Sequence, residues 1–179
     1  SLLENATNLS EALIEKEKEI IQNNKNRSQP KYKGAGDIFS NFSKSVVFIG
    51  NRKNNRIVGV GSGFIIEHKG KLKIITNWHV VNNADSLSVW TEPSMEVDEN
   101  YLISKVDSYS AKLIKENKTK DLAMLEVEGL PVKIHPVTYG KFTKSLIGKQ
   151  AYAIGHPNGH LWTFTSGMIS QVRPNYKWP

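Results

Sequence analysis

His79 and Asp121 are the residues of this chain best placed to do chemistry. His79 follows the apolar run Ile74-Ile75-Thr76 in the segment Thr76-Asn77-Trp78-His79-Val80-Val81, and Asp121 opens Asp121-Leu122-Ala123-Met124-Leu125. Singly, His79 reads as a histidine satisfied at a strand end and Asp121 as a turn acid. Together, in this order within one strand-rich region, they meet a demand of acyl transfer. A serine hydroxyl is a poor nucleophile until a neighbouring imidazole takes its proton. The imidazole in turn needs a carboxylate to fix its tautomer and stabilise its charged form.

The elements that must position them are short strands. Ser45 to Ile49, Arg56 to Ile66, Leu72 to Thr76, Ser86 to Trp90, Tyr109 to Ile114 and Leu122 to Val127 read as strands with turn signals between them, the pattern of an all-β barrel. A brief helical turn is expected around Asp37 to Phe42, and His68-Lys69-Gly70 turns the chain between two strands. Gly59, Gly61 and Gly63 fall at alternate positions, so one face of that strand carries no side chains and admits a close neighbour. From Pro131 the style repeats with Gln150 to Ile154 and Leu161 to Val172, two strands being too few to close a barrel. Ahead of the strands, Asn8 with Glu11 resembles a capping box opening a helix with Leu9, Leu13, Ile20 and Ile21 on one stripe. Lys16 interrupts that stripe, and a polar stretch from Asn23 to Lys33 follows as linker. The expected organisation is therefore a helix and linker over 1–33, a first barrel over 34–130, and the start of a second over 131–179.

Several segments together resemble the Deg/HtrA branch of the trypsin-like peptidases. Gly59-Val60-Gly61-Ser62-Gly63-Phe64, Thr76 to Val81 and Asp121 to Leu125 follow the family's first-barrel motifs in order, and Asp37-Ile38-Phe39 leading to Ser45-Val46-Val47 follows its start. Ala153-Ile154-Gly155-His156-Pro157-Asn158-Gly159 and Thr165-Ser166-Gly167-Met168-Ile169-Ser170 resemble its second-barrel segments. The resemblance implies a chymotrypsin-like double β-barrel, the first barrel complete and the second begun, with an N-terminal α-helix. It implies a serine endopeptidase acting on unfolded or flexible protein substrates without cofactor or metal, with His79 as general base and Asp121 as its orienting carboxylate. It also implies a location outside the cytoplasm, and self-assembly through the N-terminal helix.

Two departures stand out. Trp78 fills a position often smaller in the family and is expected to crowd or shape the cleft beside His79. The family's Gly-Asn-Ser-Gly-Gly nucleophile segment does not occur in these 179 residues, so the serine is expected outside the chain and the chain alone to be inactive. Ser62 and Ser166 read as strand residues rather than nucleophiles, and Gly61 directly before Ser62 breaks the nucleophile-elbow pattern. The alternative reading is a catalytically inactive protease-like barrel used for binding or scaffolding.

Composition narrows the rest. The chain has no cysteine, which excludes disulfides, thiol nucleophiles and thiolate metal sites. No apolar run approaches the 18 or so residues of a membrane helix. The net charge of +7 is uneven, since 129–179 holds no Asp or Glu against Lys133, Lys141, Lys144, Lys149, Arg173 and Lys177. These cations are scattered and lack aromatic interleaving, so they read as solvated surface rather than a nucleic-acid site. His156 and His160 flank Pro157-Asn158-Gly159 and read as turn residues rather than metal ligands. Trp90, Trp162 and Trp178 read as core or anchoring aromatics.

Overall fold

A computed structural model describes residues 32–92, 97–130, 134, 136–140 and 143–173. The helix expected near the N-terminus, and Trp178, lie outside the described residues. The chain divides into two units, 1–34 and 35–179. The second opens with helix α1 (Ala35–Phe42) and a 3₁₀ turn (Ser43–Ser45), followed by β1 (Val46–Lys53), β2 (Arg56–His68) and β3 (Lys71–Thr76). One-turn helix α2 (Trp78–Val81), β4 (Ser86–Thr91), helix α3 (Glu99–Lys105), β5 (Tyr109–Asn117) and β6 (Leu122–Val127) come next. A hairpin of β7 (Gln150–Gly155) and β8 (Thr163–Met168) completes the described strands.

Strands β1 to β6 form a closed barrel in the order β1-β2-β3-β6-β5-β4, every pairing antiparallel. Two-residue turns make the first two hairpins. Asn54 and Asn55 both have positive φ, as do Lys69 and Gly70, which is the backbone that matches the twist of paired strands. Closure buries alternate residues inside, and Val47, Ile49, Ile65, Ile74, Val89 and Leu125 are all 0% exposed there. Each such side chain contributes on the order of 1.5–3 kcal/mol of burial.

The glycine-rich face of β2 turns inward. A Cβ on Gly61 would lie 2.6 Å from Val80, and one on Gly63 would lie 2.8 Å from both Ile49 and Ile74. The close neighbours that the glycines admit are therefore core side chains, with the Ile75 carbonyl 3.1 Å from the Gly63 position.

β1 is buried on both faces. Phe48 points out of the barrel into a second apolar cluster with Trp90, Leu102 and Trp162, and Ile154 of the hairpin packs on it. The β7–β8 hairpin is fastened to the barrel here. The Trp162 indole N–H donates to the Ser43 carbonyl at 3.1 Å, and the His156 backbone N–H donates to the Ser62 hydroxyl at 2.8 Å. Trp90 and Trp162 are thus core residues.

Several local features differ from the sequence expectation, β1 and β5 running on to Lys53 and Asn117 among them. β8 covers Thr163–Met168 rather than Leu161 to Val172; its start is set by Trp162, whose left-handed φ of 43° drops its indole into the second cluster. α3 was not expected; it is capped by Asp98, whose carboxylate accepts from the Tyr101 N–H at 2.8 Å, and it buries only Leu102. α2 has no counterpart among the expected elements, which place His79 only at the end of the strand closing at Thr76.

Candidate active site

His79 and Asp121 are 42 residues apart in sequence and are brought together by the β3–β6 pairing. That ladder aligns Thr76 with Ala123, so the residues just beyond it, α2 on one side and the β5–β6 turn on the other, must meet. Asp121 ends that turn with φ 50°, its N–H donating to the Lys118 carbonyl at 3.1 Å. Aspartate tolerates this left-handed conformation better than most residues. The conformation swings its carboxylate toward α2 instead of along β6. A bulge between Leu113 and Lys115 in β5 adds local twist just before the same turn.

The carboxylate grips His79 twice. Asp121 Oδ2 lies 2.7 Å from His79 Nδ1, and Oδ1 accepts the His79 backbone N–H at 2.9 Å. Asn77 Nδ2 donates to the Asp121 carbonyl at 3.1 Å and to Oδ2 at 3.2 Å. Asp121 is held below the ordinary carboxylate range first by the His79 backbone N–H and then by the His79 ring. An ionised Oδ2 at this distance takes the Nδ1 proton as its hydrogen bond, which leaves the Nε2 lone pair free to accept one. The His79 side chain is 67% exposed, so that nitrogen is accessible to a reacting group. Such a pair is chemically able to take a proton at Nε2 while the carboxylate orients the ring.

α2 has one turn and no stability of its own, so its neighbours must fix it. Val80 sits in the space left by Gly61. Asn51, 6% exposed on β1, donates Nδ2 to the Val80 carbonyl at 3.0 Å and the Asn82 carbonyl at 3.1 Å, serving the open end of the helix. Trp78 is half-buried, with its indole N–H donating to Glu116 Oε2 at 3.0 Å on the β5–β6 hairpin. The roles of Asn51, Asn77 and Glu116 were not read from sequence. Each acts on a partner 29 to 44 residues away, and no local pattern marks such pairs.

Ser62 is engaged as the acceptor for His156 N–H, and Ser166 lies on β8 opposite Tyr152. His156 and His160 flank the turn Pro157–Gly159. His156 is 3% exposed, its Nδ1 accepting the Trp162 N–H at 3.0 Å, with Phe48 and Trp162 edge-on to the ring. Its Nε2 is buried without a well-formed hydrogen bond. Burial pushes its pKa down to about 4 against a weaker pull from the Val47 backbone. Among the described residues no three His, Asp or Glu side chains gather as a metal site, and no helix is long and apolar enough to cross a membrane.

A closed six-stranded barrel joined to the β7–β8 hairpin, with a histidine and an aspartate meeting just beyond the β3–β6 pairing, defines a chymotrypsin-like protein. The family profile for the trypsin-like peptidase domain matches residues 61–179, and the chain belongs to that family. Within it the similarity is to Deg/HtrA proteins. "Protease Do-like 1, chloroplastic" of Arabidopsis thaliana is 31% identical over 64% of this chain and 23% of its own length. "Probable periplasmic serine endoprotease DegP-like" of Rickettsia conorii is 38% identical over 63% of this chain and 20% of its own. The crystal structure of the serine endoprotease from Yersinia pestis superposes with a TM-score of 0.60 at 26% identity, over 78% of this chain and 45% of that one. The chain thus spans about a fifth to a quarter of these curated relatives and under half of that structure.

Proposed function

We propose that this chain supplies the base and orienting carboxylate of a serine endopeptidase acting on unfolded or flexible protein segments, the nucleophilic serine lying outside residues 1–179. The observation that carries the reading is the double contact of one carboxylate with His79, through Nδ1 at 2.7 Å and the backbone N–H at 2.9 Å. Family membership and relatives named as proteases support it.

In this mechanism His79 Nε2 accepts the serine proton as the serine oxygen bonds to the substrate carbonyl carbon. Asp121 stabilises the resulting imidazolium without itself taking a proton. The imidazolium then gives its proton to the leaving amine as the peptide C–N bond breaks. Water, giving a proton to the same nitrogen, bonds to the acyl carbon; the serine C–O bond then breaks and the serine oxygen takes that proton back from the imidazolium.

The test is cleavage of an unfolded protein by the full-length enzyme. Asp121→Asn should lower kcat by about 10⁴-fold, because the ring settles in the wrong tautomer. His79→Ala should lose at least as much. Undiminished proteolysis by His79→Ala would remove the assignment.

A further inference from the structure

We infer that Trp78, through Glu116 and Lys118, is a positioning residue that holds His79 and Asp121 in register. The inference rests on the reading of His79 and Asp121 as base and orienting carboxylate.

Trp78 and His79 are neighbours in a helix of four residues. Trp78 reaches the opposite element by its polar edge and by its face. Its Nε1 donates to Glu116 Oε2 at 3.0 Å, and the Lys118 ammonium lies 5.4 Å from its ring centroid. Lys118 and Glu116 are themselves 3.6 Å apart, so the three side chains close a triangle. Lys118 also accepts the Asp121 N–H through its carbonyl, within the same four-residue turn. Holding Lys118 and Glu116 therefore holds the turn that aims Asp121.

The indole N–H is given to Glu116 and one ring face is met by the Lys118 cation, so both contacts run to the β5–β6 hairpin that carries Asp121. Each contact is worth little in stability, since exposed ion pairs and cation–π contacts are weakened by solvent. Position is what they can supply, because a one-turn helix does not fix its own orientation. Asn77, the residue before α2, is tied to the same turn through Asp121, and Trp78 adds a tie placed on the helix itself.

The test reads the tautomer of His79 directly. In the full-length protein, the ¹⁵N shifts of the ring, correlated with its carbon-bound protons above neutral pH, report which nitrogen carries the proton. The parent should show the proton on Nδ1. Trp78→Ala and Glu116→Ala should lose that signature and show averaging between tautomers. Glu116→Gln, which keeps an acceptor, should restore most of it, and Trp78→Phe, which keeps a face for Lys118, should fall between. Unchanged His156 signals would show that the fold persists. Glu116→Ala removes only a surface side chain and keeps the test open should Trp78→Ala fail to fold. An unchanged Nδ1 proton in both Trp78→Ala and Glu116→Ala would overturn the inference and leave the peptidase reading intact. Averaged tautomers in the parent would overturn both.

Discussion

Asp121 shows how two hydrogen bonds from one residue do what proximity alone cannot. A carboxylate bonded only to a ring nitrogen can follow the ring as it rotates. One bonded also to the backbone N–H of the same histidine fixes the ring against its own main chain. His156 shows the reverse use of the same residue type. Its buried imidazole accepts an N–H at Nδ1, so protonation would set two donors against each other. With a folded pKa of about 4 against an ordinary value of 6.5, the unfolded chain takes up the proton first as pH falls. The contribution to stability is therefore full above about 6.5 and is lost as pH falls toward 4, amounting to about 3 kcal/mol. Ring NMR should give a midpoint near 4 for His156, with urea stability falling over the same interval; a midpoint near 6.5 would refute the buried neutral ring. At this scale the sequence was legible where motif and chemistry coincide, at His79 and Asp121. It was silent on Asn51, Asn77 and the partners of Trp78, because strand register, not local spacing, chooses those pairs.

At the scale of elements, strands were legible and one-turn helices were not. Short apolar or alternating runs between turn signals locate β1 to β7, and β6 falls on Leu122–Val127 as expected, whereas β1 and β5 run on to Lys53 and Asn117. A four-residue helix such as α2, or a seven-residue one burying only Leu102 such as α3, is too short for a helical period to show. β8 was overrun because Trp162 looks like a strand residue until the second cluster claims it. The glycines of β2 gave a truer signal, marking a strand whose inner face must be empty. Gly61 makes the room in which Val80 holds α2. Gly61→Ala should overpack that contact and cost about 1–3 kcal/mol, lowering the urea midpoint, and Val80→Ala in the same chain should recover part of the loss. A Gly61→Ala protein as stable as its parent would show that α2 is not seated by this contact.

At the scale of the molecule, one closed barrel and a fastened hairpin account for the placement of the dyad. The barrel brings α2 and the β5–β6 turn to one end, and the second cluster around Phe48 and Trp162 joins the hairpin to its wall. The hairpin carries family motifs but neither His79 nor Asp121, so its part lies in what it joins to. The absence of acidic residues from 129–179 leaves that region cationic without forming a site among its described residues. What most directly tests the account is fluorophosphonate labelling of the full-length protein, with the tag mapped by mass. The account predicts one tagged serine outside residues 1–179, with labelling slowed by about 100-fold or more in His79→Ala. A tag within 1–179, or a rate indifferent to His79, would contradict it.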